Sequence, residues 1–255
     1  MNILVIDLGL GGLDILSRLY EYLLCIPDIG ECKLIFYQIN RNSININDKY
    51  SISSKIALIC NLYLCDILVI GCHSIAVTIK GMRSNNGLQI INIAEVTKNY
   101  IINSKLYGKE IALFASPNTH RSGYYNHLNS NKVTVIPCVD LARKIETGNK
   151  KEIKIGVEQC IDKISSKPSL AILACTHYSI IEQFFCESLK NKFNREIPIV
   201  NPNNLIVENI GIKYSKGTTK IKMILDLCYN SEMFDKIKEK FDSIDNIQIK
   251  NHYLT

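Results

Sequence analysis

The feature that most constrains this chain is an alternation. Short, almost unbroken apolar runs take turns with longer amphipathic stretches. The apolar runs fall at 2–6, 33–37, 66–71, 89–93, 110–115, 132–136, 169–174 and 197–200. Runs apolar at nearly every position suit strands buried on both faces of a parallel sheet; a half-exposed strand would alternate apolar with polar. Helical spacing fills the intervals at 12–24, 50–63, 74–82, 95–106, 121–128, 139–147, 150–164, 178–192 and 203–213, and a last amphipathic helix spans about 230–242. Strands alternating with helices predict βαβ units and parallel sheets.

The series runs twice, over about 1–94 and about 95–205. Each run contains an apolar strand that ends at a cysteine and a polar cluster: "ILVIGCHSIA" at 67–76 and "LAILACTHYSI" at 170–180. The fold class this predicts is α/β, built as two pseudo-symmetric parallel-sheet α/β domains. Ligands of parallel sheets bind beyond the carboxyl ends of the strands. Asp7, Cys72, Ser116 and Cys175 all fall at such ends, so two facing edges would make a cleft between the domains.

Bulk properties exclude several classes. At 255 residues, 47% hydrophobic and 21% charged, the chain has ample material for a core. Its net charge of +6 is spread among acids, as in "NKKEIKIGVEQ", which reads as solvated helix faces and not as a nucleic-acid footprint. No run reaches the length of a membrane span. The N-terminal "MNILVIDLGLGG" lacks a basic region and is cut by Asp7, so it does not read as a signal peptide, and a cytoplasmic location is the expectation. None of the ten cysteines forms a CxxC pair, and no zinc spacing is present; most are expected to be free and buried.

Three elements carry chemistry. In "DLGLGG", at 7–12, glycines allow a tight turn with open N–H groups, although the dinucleotide fingerprint is absent. Asp7 there reads either as a functional carboxylate or as a turn former. Cys72, with His73 and Ser74, is either a buried structural thiol or an acid–base group activated at a helix start. Cys175, with Thr176, His177 and Tyr178, is either core or a Cys–His pair. The equivalence of the two cysteines raises the functional reading. Two thiols flanking one carbon suit removal of a proton from one face and delivery to the other.

These segments resemble the cofactor-independent aspartate/glutamate racemases, most closely the glutamate racemases. "DLGLGG", "VIGCHSIAV", "SPNTHRSGYY", "CVDLARKIETG" and "LACTHYSII" match the family's motifs in order and spacing along nearly the whole chain. The resemblance implies two domains, 1–94 plus 206–255 and 95–205, with an amino-acid substrate between them. It implies Cys72 and Cys175 as the two acid–base residues, Asp7 assisting the first, and Glu146 and His177 the second. Ser74, Thr119 and Thr176 would hold substrate carboxylate oxygens. It implies no cofactor and no metal, no nucleic-acid or membrane partner, and a homodimer as in many members. The product would be D-glutamate for peptidoglycan synthesis.

The chain departs from the family's pattern at four places. Leu8 replaces a serine, and Asn201 a common acid. His73 replaces an asparagine; it could still donate a hydrogen bond and, if charged, would lower the Cys72 pKa. In "FYQINRNSIN", only Arg41 keeps register, and Ser43, Ile44 and Asn45 stand where Pro-Tyr-Gly binds the substrate's carboxylate end. The departures leave two alternatives: a racemase of aspartate or another acidic amino acid, or a ligand- or partner-binding member without turnover.

Overall fold

The computed structural model describes residues 1–83, 87–104, 108–126, 128, 132–212, 217–228, 241, 244 and 246–251. Two sheets organise them, and every strand pairing in both is parallel. The first holds β1 (Asn2–Asp7), β2 (Glu31–Gln38), β3 (Ile67–Ile70), β4 (Gln89–Asn92), β9 (Lys220–Leu227) and β10 (Ile247–Asn251) in the order β10-β9-β2-β1-β3-β4. The second holds β5 (Glu110–Ala115), β6 (Lys132–Pro137), β7 (Leu170–Ala174) and β8 (Ile199–Val200) in the order β6-β5-β7-β8. The order 2-1-3-4 in the first sheet repeats as 6-5-7-8 in the second, so the doubled pattern of the sequence is a doubled topology. β1 corresponds to β5, and β3 to β7.

The helices cover the sheets as the crossovers require. They are α1 (Gly12–Leu24), α2 (Lys49–Tyr63), α3 (His73–Thr78), α4 (Ile93–Asn103), α5 (Pro117–Arg121), α6 (Leu141–Thr147), α7 (Lys150–Asp162), α8 (Glu182–Phe193) and α9 (Pro202–Asn209). Among the described residues none is long and apolar enough to cross a membrane.

Period-two alternation decides which core each strand face joins. Ile111, Leu113 and Ala115 of β5, with Leu170, Ile172 and Ala174 of β7, belong to one apolar core with the whole first sheet. Ala112 and Phe114, with Ala171 and Leu173, turn the other way, against α6, α7 and α8. The two halves therefore share a core. Asn203 of α9 ties them with polar bonds as well, its Nδ2 donating to Asp14 Oδ2 at 2.8 Å and to Ser179 Oγ at 2.9 Å.

The expected strands form, within a residue or two except at 197–200, where only Ile199–Val200 pair. Two strands were not anticipated. β9 and β10 extend the first sheet beyond β2, and Gln38 at the end of β2 receives the Cys228 N–H at 2.7 Å. The helix expected at 121–128 instead starts earlier, at Pro117, because Ser116 Oγ caps Thr119 N at 3.2 Å; Gly123, at φ +63°, follows its end. The helix expected at 178–192 begins as a 3-10 turn over Thr176–Ile181 before α8. Most of the helix expected at 230–242 lies outside the described residues.

Candidate active site

Asp7 ends β1, Ser116 follows β5, Cys175 follows β7, and Cys72 stands two residues past β3 as the N-cap of α3. All four line one cavity of about 430 Å³. Both cysteines thus open onto the same space from equivalent strand ends of the two sheets.

On the Cys175 side, three groups form a chain. His177 Nδ1 faces Cys175 Sγ at 3.9 Å, and His177 Nε2 lies 2.8 Å from Glu146 Oε1. Burial alone would pull the His177 pKa down, but its hydrogen bonds to Cys175 and Glu146 push it up to about 10. Burial likewise opposes ionisation of Glu146. The hydrogen bond and charge of His177, with the charge of Arg41, outweigh it and hold the carboxyl below its ordinary range. Glu146 does not line the cavity; it stands behind His177, where Leu10 N also donates to it at 3.4 Å.

The glycine turn exists to let this chain of groups come close. A Cβ on Gly9 would lie 2.5 Å from Glu146 Oε1 and 2.6 Å from His177 Cε1, and one on Gly11 would lie 2.5 Å from His177 N. Three of the turn's N–H groups are already taken. Leu8 N and Gly9 N donate to Asp7 Oδ1 at 2.6 and 3.1 Å, and Leu10 N goes to Glu146.

On the Cys72 side the environment is drier. Burial, then the charges of Asp7 and Cys175, push the Cys72 thiol well up; the Ile75 N–H and the Arg41 charge oppose this. Asp7 is fully enclosed. Burial raises its pKa in spite of the His177 charge and of hydrogen bonds from Thr176, Gly9 and Leu8. Thr176 Oγ1 donates to Asp7 Oδ2 at 2.9 Å.

His73 lines the cavity beside Cys72. Burial pulls its pKa down to about 3, so it is neutral near neutral pH and supplies no charge to Cys72. Its tautomer follows from its neighbour. The Thr97 hydroxyl donates to Ile93 O at 2.7 Å, so at 3.4 Å it accepts from His73 Nε2–H. Nδ1 is then a buried acceptor with no partner among the described residues.

The hydroxyl positions divide. Ser74 Oγ and Ser116 Oγ meet at 2.8 Å across the cavity. Thr119 stands behind Ser116, its Oγ1 3.1 Å from Ser116 Oγ, and does not itself line the cavity. In the altered loop, Arg41 and Ile44 line the cavity, whereas Ser43 and Asn45 do not. Those two are committed locally: Ser43 Oγ donates to Asn40 O at 2.8 Å, and Asn45 Oδ1 accepts from Asn47 N at 3.1 Å. Asn118, Arg121 and Arg143 line the cavity without having been singled out in the sequence. Among the described residues, no group of three or more His, Cys, Asp and Glu side chains is arranged to hold a metal ion.

No protein-family model matches the chain. It is 25% identical over 269 residues to the glutamate racemase of Buchnera aphidicola subsp. Schizaphis graminum, covering 96% of this chain and 99% of that one. Its fold superposes on a glutamate racemase from Bacillus anthracis with a TM-score of 0.75, at 18% identity and covering 99% of this chain and 97% of the other. It superposes on the glutamate racemase of Francisella tularensis, solved in complex with D-glutamate, with a TM-score of 0.70, at 19% identity and covering 97% and 96%. In sequence along almost its whole length, and in fold, the chain is similar to the glutamate racemases.

Proposed function

We propose that the protein interconverts L- and D-glutamate by exchanging the Cα proton between two thiols. The observation that carries this reading is the opening of Cys72 and Cys175, from equivalent strand ends of two sheets, onto one cavity. In the D-to-L direction, Cys72 as thiolate removes the Cα proton, and the electron pair stays on the substrate as a carbanion delocalised into its carboxylate. Cys175 then delivers its thiol proton to the opposite face. The L-to-D direction reverses these roles.

The surroundings suit those tasks differently. Burial favours Cys72 as the thiol, the form that donates. His177, oriented by Glu146, holds a proton beside Cys175. Asp7 is the carboxylate on the Cys72 side. Ser74, Ser116 and the turn at Thr176 supply hydrogen bonds to the substrate carboxylate, with Thr119 placing Ser116. Burial of Asp7 and Cys72 at the inner end of the cavity strengthens these interactions.

The reading extends to the cell. D-glutamate would feed peptidoglycan synthesis in the cytoplasm, and the domains would be 1–94 plus 206–255 and 95–205, in a homodimer. The test is Cα–deuterium exchange in heavy water over a panel of amino acids without added cofactor. Exchange on glutamate is expected. Exchange on aspartate and none on glutamate would make this an aspartate racemase. Ligand binding with no exchange on any amino acid would make it a binding protein.

A further inference from the structure

Three arginines line the cavity that the proton exchange does not use: Arg41, Arg121 and Arg143. They come from separate elements, the 3-10 turn Arg41–Ser43, the end of α5 and α6. The acids that could neutralise them are mostly committed elsewhere. Asp7 is taken by Leu8, Gly9 and Thr176, and Glu146 is paired with His177. That leaves Asp140, whose Oδ2 lies 3.8 Å from Arg143 Nη2 with both side chains more than half exposed. Such a pair, wet and long, holds its arginine weakly. Arg121 Nη2 donates to a neutral partner, Asn118 Oδ1. Arg41 makes no hydrogen bond or ion pair among the described residues, and its charge is felt by Cys72 and Glu146.

The cavity wall is therefore cationic, while Ser43 and Asn45 of the altered loop lie outside the cavity. A planar guanidinium offers forked donors that match a carboxylate and have no counterpart in a neutral side chain. We infer that Arg121 and Arg143, together with Arg41, form the subsite that takes the distal carboxylate of an acidic amino acid. This rests on the racemase reading above and adds the residues that set its substrate class.

The experiment compares Arg121→Gln and Arg143→Gln with Arg195→Gln, which removes the same charge from a separate surface pocket beside Lys109 and Lys167. Each is assayed for kcat and KM on both glutamate enantiomers, and for binding of glutarate, a dicarboxylate with no amino group or stereocentre, by calorimetry. In the two cavity variants, KM and the glutarate dissociation constant should each rise roughly fivefold to tenfold, with the loss falling on KM and not on kcat. Added salt should weaken glutarate binding to the wild type more than to either cavity variant. Arg195→Gln should match the wild type throughout.

Unchanged KM and glutarate binding in both cavity variants would overturn the inference, as would a fall in kcat at constant KM. The two proposals separate cleanly. A wild type that racemises glutamate with arginine-independent KM keeps the reaction and loses the subsite. A wild type that binds glutarate through these arginines but never exchanges the Cα proton keeps the subsite and loses the reaction. Absence of both activities counts against both.

Discussion

Thr176 Oγ1 donates a 2.9 Å hydrogen bond to Asp7 Oδ2, joining the turn after β7 to the end of β1. The equivalent strand ends are joined the other way round by Ser74, past β3, and Ser116, after β5, whose hydroxyls meet at 2.8 Å. Doubled topology thus yields two mirrored links between the halves. The two cysteines stand beside them, facing one cavity.

The Thr176 link should be measurable in stability. Thr176→Val keeps the shape but leaves a buried carboxylate oxygen without its donor, which costs about 1–3 kcal/mol. Thr176→Ser should restore most of it. Urea unfolding of the two variants at neutral pH checks this, and a valine variant as stable as the wild type would show the link to be idle.

Gly11 should tolerate no side chain. Its Cβ would sit 2.5 Å from the His177 backbone nitrogen, a contact that backbone cannot relieve locally. Gly11→Ala is expected to destabilise by about 1–3 kcal/mol and to displace His177, lowering turnover as well. Gly211→Ala, where a Cβ would meet only Gln89 Nε2 at 3.8 Å, should leave turnover intact.

His73 should make the fold acid-sensitive. Its pKa falls from the ordinary 6.5 to about 3, so between those values the unfolded chain binds a proton that the folded chain refuses. The stability is complete above pH 6.5 and should fall by about 1.4 kcal/mol per pH unit below it. Unfolding free energies from pH 7 to pH 4 test this. The slope should flatten in His73→Asn; an unchanged slope would place the acid sensitivity in other groups.

Much of this was legible in the sequence, for physical reasons that differ by element. β1, β3 and β7 are buried on both faces, so their apolar runs are nearly unbroken. β9 opens on exposed lysines, and β10 is a half-exposed edge strand with alternating polar residues, so neither carries that signal. That Cys72, Cys175, Asp7 and His177 would meet at one cavity was visible because the two cysteine-bearing strand ends are equivalent in the doubled pattern. The arginines were not, since Arg121 and Arg143 on short helices look like ordinary solvated positions until the fold turns them to the cavity. The need for Gly9 and Gly11 was also hidden, because the groups they admit, Glu146, Thr176 and His177, lie far away in sequence.

His177 should show the opposite pH behaviour to His73. Its pKa rises from 6.5 to about 10, so the protonated ring's stabilisation is present in full below pH 6.5 and is lost as pH climbs toward 10. Wild-type stability should decline across that window. His177→Gln should start lower, with Glu146 deprived of its cation, and should lose this alkaline slope. A variant with the wild-type slope would show that the ion pair is not its source.

The two-thiol mechanism is tested most directly by measuring racemisation of L- and D-glutamate by circular dichroism in the wild type, Cys72→Ser and Cys175→Ser. A serine hydroxyl ionises far less readily than a thiol, so each variant should lose at least about a hundredfold in turnover in both directions while keeping its fold. Full activity in either serine variant would contradict the account, since one of the two acid–base groups would then be dispensable.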